Sequence, residues 1–380
     1  MNTPQGKANH SSTAIHNRRL TIQLLREYGQ LSRRQLGELT GLRSSTLTYI
    51  MRDLLEHEVV RTVGKRASKS VGKKQVLLEI NPHVGWSIGV GIETEALLAV
   101  VMDAAGNVIE KDRVACDARA EHLEDRLADL VHAFCNEERS MDRLLGVGLG
   151  VPGVVSPDEG MVLQSTMLKR KVFPLGSLLA SKLNVPVHVD NDVNCAAIAE
   201  ARDGCATDLN SFVFFIINAI ETGNRFALTG VGSALYLAGK MYRGQHFASG
   251  EIDALLDNDP LESVTASQLL QLAEPSAPLT PELETIAARL ARTMAIVVDL
   301  LDPQALIIGG NVDLANEAVI ARIAESINTG IIPIQGRNIV VRGSRYTTFG
   351  VPVGASCRVL DAVMLGLGHQ MPSDRLFMPR

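Results

Sequence analysis

The sequence predicts an α/β body preceded by a small N-terminal head of short helices and a hairpin. Three observations carry that prediction. Charge is divided unevenly: residues 1–80 hold 14 Lys and Arg against 6 Asp and Glu, whereas the remaining 300 hold 23 against 36. In the head, apolar residues recur at helical spacing, and beyond Trp86 short apolar runs of strand length alternate with longer amphipathic stretches. At 380 residues the chain also exceeds the roughly 100–200 residues of one ordinary domain, so two or three compact units are expected.

Composition narrows the class further. Apolar residues make up 46% and charged residues 21%, which suits a globular protein and excludes a disordered or collagen-like one. No apolar run reaches the roughly 18–20 residues of a membrane span, and the polar first twelve residues lack a signal peptide's apolar centre. A cytoplasmic protein without a membrane partner is therefore expected. The five cysteines, Cys116, Cys135, Cys195, Cys205 and Cys357, are odd in number and far apart, with no CxxC. They are expected as small buried apolar residues, without disulfide or zinc. The surplus of positive charge in the head, on an acidic body, points the head alone at a polyanion.

Within the head, Leu20, Leu24 and Leu25 fall at helical spacing over residues 18–27, and Gly29 ends the run. Ser32-Arg33-Arg34-Gln35 has the form of a capping box, in which hydroxyl and amide side chains each satisfy a free N–H at a helix start. Leu36 and Leu39 are expected to face inward, Gly41 to stop this second helix, and Ser44 or Ser45 to cap a third. There Leu47, Ile50, Met51 and Leu54 repeat at i, i+3, i+4 and i+7 and form core, which leaves Ser45, Thr46, Thr48, Tyr49 and Arg52 outside. Two short helices with a Gly-containing turn, the second presenting hydrogen-bonding side chains, match a helix-turn-helix. Residues 59–63 and 75–80 then have strand character, and the eleven residues between them contain Lys65, Arg66, Lys69, Lys73 and Lys74. A cationic hairpin tip suits phosphate or minor-groove contact, the use to which a wing is put. Residues 1–80 are thus expected to form a winged helix-turn-helix domain that binds duplex DNA. Arg33, Arg34, Arg43 and Ser44 join the outer residues of the third helix and the wing as candidate contacts. A helical bundle with a solvated loop is the alternative, against which the single sign of the loop charges argues.

The body opens with three apolar stretches, 87–92, 97–102 and 108–109, of meander form. A similar passage at 212–218, 226–238 and 241–242 suggests internal duplication. Parallel strands are expected at 145–151, 185–189 and 305–308, beside amphipathic stretches such as 123–135 and 283–301. Two α/β lobes around a cleft follow.

Gly148-Leu149-Gly150-Val151-Pro152-Gly153-Val154-Val155, with Pro157-Asp158-Glu159-Gly160 after it, resembles the GxGxPGxV segment of the ROK family of repressors and sugar kinases. Residues 185–197, which include Asp190-Asn191-Asp192-Val193-Asn194 and Ala196-Ala197, resemble that family's sugar-binding PVxxxNDxNxAA segment. Residues 240–244, 249–252 and 307–310 complete the order, and the family's regulators carry a winged head resembling residues 31–46. This resemblance covers nearly the whole chain. It implies two actin-like, ribonuclease H-like lobes, the first over 81–200 and rejoined by a C-terminal helix within 354–380, the second over 201–353. It further implies a transcriptional repressor of carbohydrate metabolism that binds a palindromic operator as a homodimer or dimer of dimers and answers to a sugar effector.

In the family's kinases the Asp of the ND pair is the base, and Asp192 stands there. Gly153, Asn191, Asp192, Glu251 and Glu262 match the family's sugar contacts, whereas Thr166 replaces an Asn and Ala254 a His. The phosphate-binding DxGGT is here Gly91-Ile92-Glu93-Thr94-Glu95, without the Asp or either following glycine, and GTGxG is only partly kept in Leu228-Thr229-Gly230-Val231-Gly232. Since phosphoryl transfer is mostly electrostatic clamping of phosphate, no ATP or other cofactor and no kinase activity are expected. The family's zinc ligands are missing at Ala254 and throughout 255–260, so no metal is expected either. An active ATP-dependent sugar kinase, and a regulator whose cleft residues are inherited scaffold and bind no sugar, are the alternatives.

Overall fold

The computed structural model describes residues 5–66, 75–222, 225–252, 264–265, 267, 271–272, 274–310 and 316–366. The head contains α1 (Gln5–Tyr28), β1 (Leu31–Ser32), α2 (Arg33–Thr40), α3 (Ser44–Glu56), β2 (Val60–Arg66) and β3 (Gln75–Ile80), with the strands in the order β1-β3-β2. The capping box forms: Ser32 Oγ accepts from the Gln35 N–H, and Gln35 Oε1 accepts from the Ser32 N–H at 3.0 Å. Gly41 ends α2 at φ 68°, and Leu47, Ile50, Met51 and Leu54 are buried.

Three local expectations fail. Helix α1 starts at Gln5 rather than near residue 18, since no proline interrupts the polar stretch after Pro4. Its buried apolar residues are Ile22 and Leu25, with Leu20 and Leu24 only half-buried. Leu39 is 47% exposed, since an eight-residue helix turns only Leu36 fully to the core. Neither serine caps α3: both lie inside it, and Arg43 holds the cap position without a side-chain bond.

The first part of the body is a meander of β4 (Trp86–Ile92), β5 (Ala96–Asp103) and β6 (Val108–Ala115), the last much longer than its two apolar residues suggest. There follow α4 (Leu123–Ala133), β7 (Leu144–Val151), a small sheet of β8 (Val154–Ser156), β9 (Met161–Ser165) and β10 (Arg170–Phe173), then α5 (Leu175–Leu183) and β11 (Val187–Asn191). β7 pairs in parallel with β4 and β11, giving the order β11-β7-β4-β5-β6. After α6 (Asp192–Asp203) the plan repeats. β12 (Phe212–Thr222), β13 (Arg225–Leu237) and β14 (Lys240–Tyr242) form a meander, with β15 (Val264–Thr265) beside β13. Then come α7 (Pro281–Leu301), β16 (Ala305–Gly309), α8 (Glu317–Gly330), β17 (Val340–Gly343) and α9 (Gly350–Gly366). β12, β16 and β17 pair in parallel, and the order is β14-β13-β12-β16-β17. Each large sheet thus has its meander on one side of the first strand and its parallel strands on the other, as a duplication requires.

Strand alternation assigns the faces. Phe212, Phe214 and Ile216 pack with Val193, Ala196 and Ala197 of α6, while Val213, Phe215 and Ile217 pack on α7 and α8. On the first sheet α4 and α5 cover one face, and α9 lies on the other. Helix α9 comes so close that a Cβ at Gly89 would stand 1.8 Å from the Pro352 carbonyl oxygen, and one at Gly148 2.0 Å from that of Ala355. Ile22 and Leu25 of α1 share one core with Leu145, Val353, Cys357 and Leu360, so head and body are packed together. Cys195 and Cys357 are buried as expected, but Cys116, Cys135 and Cys205 keep part of their surface in solvent, and all five thiols are free. Among the described residues no helix is long and apolar enough to cross a membrane.

Candidate functional site

Two clusters of the sequence-predicted residues are brought together, one on the head and one where β11 meets α6. On the head, the periodicity that buries Leu47, Ile50 and Leu54 turns Ser45, Thr48, Tyr49 and Arg52 outward, with Thr46 half-buried and Tyr49 60% exposed. The Arg52 guanidinium lies 5.3 Å from the centre of the Tyr49 ring and 3.9 Å from the Glu56 carboxylate. The Thr48 hydroxyl donates to the Ser44 carbonyl at 2.7 Å, which leaves it able to accept but not to donate. Arg33, Arg34, Arg43 and Ser44 are placed around the starts of α2 and α3, where Arg34 pairs with Glu38 at 2.8 Å. The missing side-chain cap leaves the first-turn N–H groups of α3 available to an anion. Lys65 and Arg66 extend β2, and the side chains of both, like Lys69, Lys73 and Lys74 altogether, lie outside the described residues.

At the body site, Asn191 caps α6: its Oδ1 accepts from the Asn194 N–H at 3.0 Å, while its Nδ2 donates to the Gly153 carbonyl and to Asp192 Oδ1, each at 3.0 Å. Asp192 Oδ1 also accepts from the Val193 N–H at 3.0 Å. Gly153 has φ 117°, and a Cβ there would stand 2.3 Å from the Gln164 carbonyl oxygen, so the loop between β7 and β8 closes on β9 only with glycine. Burial pushes the Asp192 carboxyl up to about 6, against the hydrogen bonds that favour its charged form, and the nearby Glu251 carboxylate acts in the same direction as burial. Glu251 is exposed on the loop that Gly250 pins to β13, through the bond from the Ser233 N–H to the Gly250 carbonyl at 3.1 Å. Thr166 is exposed at the end of β9. Glu262 and Ala254, with the zinc positions that follow it, lie outside the described residues.

Sequence reasoning missed what stands beneath these residues. The Asp190 carboxylate, 1% exposed, accepts from Arg243 Nη2 at 2.6 Å, from Asn194 Nδ2 at 3.3 Å and from Arg358 Nη1. Asp190 and Arg243 both fall inside segments of the family pattern, a signal that could have found them, whereas nothing in the sequence marks Arg358.

The β4–β5 turn, where the kinases' phosphate loop falls by sequence, is tight. The Glu93 N–H donates to the Ala96 carbonyl at 2.9 Å, and the Glu93 carboxylate is held by Arg113 at 2.9 Å. Leu228-Thr229-Gly230-Val231-Gly232 lies within β13, paired with β12 across the bulge at Asn218 and Ala219. Among the described residues one group brings three metal-ligating atoms together, His122, Glu124 and Asp125. It lies at the start of α4, and Lys182 holds Asp125 at 2.5 Å.

Known proteins share this fold. The sequence pattern of the ROK family matches residues 87–256 and 248–357. Over 402 residues the chain is 22% identical to the xylose repressor of Caldicellulosiruptor bescii, covering 94% of this chain and 98% of that one. The crystal structure of a ROK family transcriptional regulator, a homolog of the E. coli MLC protein, superposes with a TM-score of 0.72 at 19% identity, over 94% of this chain and 99% of that one. A ROK family glucokinase from Streptomyces griseus, in complex with glucose and AMPPNP, superposes at 0.57 and 21% identity, over 72% of this chain and 99% of that one. These likenesses show a shared α/β fold, in a family that includes both regulators and kinases. With most of its body matched by the family pattern, this chain belongs to the ROK family.

Proposed function

We propose that the chain is a sequence-specific DNA-binding transcriptional repressor of carbohydrate metabolism. In this reading residues 1–80 form the winged helix-turn-helix. The body is two actin-like, ribonuclease H-like lobes, 81–200 with the returning C-terminal helix and 201–353. The carrying observation is the face of α3, where Thr46, Thr48, Tyr49 and Arg52 stand together opposite a fully apolar side, on a head of opposite charge to the body. A relative named a xylose repressor, similar over 98% of its length, supports it. α3 enters the major groove, its uncapped first turn meets a phosphate, and the wing lysines and arginines contact the backbone. Two heads of a dimer then sit roughly 34–36 Å apart, or a multiple of that, on a palindromic operator.

The effector is a sugar or sugar derivative held by Gly153, Asn191, Asp192, Glu251 and Glu262, whose carboxylates and amide suit vicinal hydroxyls. It is bound without being phosphorylated. Two observations favour loss of the kinase step: Glu93 occupies the phosphate turn and is tied to Arg113, and the second glycine-bearing segment is paired strand instead of a turn. Selection of duplexes by the full chain from a random library tests the reading. Enrichment of a palindromic sequence is expected; failure to enrich any sequence overturns it.

A further inference from the structure

We infer that a chain of ion pairs, Arg243–Asp190–Arg358 and, one turn along α9, Asp361–Arg26, ties the cleft to the head and sets the position of α3. The inference rests on the proposed function for its purpose, while its geometry stands independently. Arg243 leaves β14 on the loop that carries Glu251, and its fork grips Asp190, the residue immediately before Asn191 and Asp192. Arg358 of α9 grips the same carboxylate. Three residues on, Asp361 accepts from Arg26 of α1 at 2.5 Å and from Arg202 at the far end of α6. Helix α1 in turn reaches α3 through the pair between Arg18 and Asp53, and its Ile22 and Leu25 lie in the core shared with α9.

Asp190 and Arg26 are shielded from water, with side chains 1% and 9% exposed, while their partners Arg243 and Asp361 keep 23% and 27% of their surface. Removing one partner of such a pair strands a charge in a poorly solvated place. When the loop bearing Arg243 and Glu251 shifts to admit or enclose a ligand, it either abandons Asp190 or carries it along. Packed interiors choose between discrete arrangements instead of deforming smoothly. Helix α9 lies with its backbone directly against Gly89 and Gly148 of the first sheet, a close seat that favours movement of the helix as one body. The displacement therefore passes along α9 to Asp361 and α1, and through Arg18 to the recognition face. α6 runs beside this route, with the sugar residues at its start and Arg202 at its end.

The test is a double-mutant cycle in the full chain, on the duplex obtained by selection. Arg243→Gln, Asp361→Asn and the double variant are compared for duplex affinity, with thermal unfolding as the folding control. Separated sites that do not communicate give a double variant within about twofold of the product of the two single effects. The expected result departs from that product by at least about threefold, while Arg243→Lys, which keeps the charge but loses the second bond of the fork, falls between the wild type and Arg243→Gln. Agreement with the product overturns the inference. Amide exchange across residues 18–28 of α1 in Arg243→Gln is a second readout that needs neither DNA nor the Asp361 variant to fold. Faster exchange is expected, and an unchanged rate overturns the inference. If the wild type selects no duplex, the functional reading fails and the exchange result alone decides.

Discussion

Helix α3 turns its chemistry outward, and the start of α6 turns its chemistry in. On α3 the polar side chains stand toward solvent, with Tyr49 60% exposed, each attached to a helix whose stability comes from Leu47, Ile50, Met51 and Leu54 on the opposite side. At α6, Asn191 and Asp192 bond to each other, to Gly153 and to the helix backbone, above a carboxylate gripped by two arginines. Recognition and stability are thus separable in the first region and inseparable in the second. Substitutions on α3 should change what is bound and leave the fold alone; substitutions at α6 should do both.

The largest effect that sharpens this contrast comes from replacing Thr46, Thr48, Tyr49 and Arg52 together with Ala. A side chain that reads a base contributes about 1–3 kcal/mol of discrimination. Competition between the selected duplex and a scrambled one should therefore show preference reduced on the order of a hundredfold or more, with the melting temperature unmoved; an unchanged preference breaks the assignment. Changing Lys65, Arg66, Lys73 and Lys74 to Ala should weaken binding to every sequence alike. It should also flatten the dependence of log K on log salt by up to ~0.9 for each phosphate no longer neutralised, read from titrations at several salt concentrations.

At the inner site, Asn191→Ala removes a helix cap and the bond to Gly153, and should lower unfolding free energy by about 1–2 kcal/mol in urea titration. Equal stability of variant and wild type would mean that the cap contributes nothing. A further effect at this site concerns pH. Asp192 keeps its proton to about 6 in the folded chain, against an ordinary 3.8, so its contribution to stability is present below about pH 4 and is lost as pH rises through about 6. Asp192→Asn stays neutral throughout. Its stability relative to the wild type should therefore rise between about pH 4 and pH 7, and a difference independent of pH would show that the carboxyl titrates normally.

The same contrast explains what was legible in the sequence. The capping box at Ser32 and Gln35, the stop at Gly41 and the buried stripe of α3 are signals within a few residues of one another, and they formed as expected. Local signals also misled: Leu39 has core chemistry but sits where α2 faces water, and the serines near the start of α3 lie inside it. The small sheet β8–β10 is hidden in the sequence because its strands are three to five residues long, too short for alternation to register. Gly153, Asn191 and Asp192 are marked by family resemblance, since spacing alone joins Gly153 to nothing 38 residues away. Asp190 meets Arg243 and Arg358 across 53 and 168 residues, distances at which a sequence read by periodicity holds no information.

The most direct measurement is calorimetric titration of a broad panel of sugars and sugar derivatives into the full chain, with and without its selected duplex and in the presence of ATP. A DNA-bound switch with a non-catalytic cleft gives heat from at least one sugar and no sugar phosphate. The duplex then alters that sugar's affinity by the same factor as the sugar alters the duplex's, about 5–150-fold for ordinary coupling. Heat from no sugar, or formation of a sugar phosphate, would contradict it.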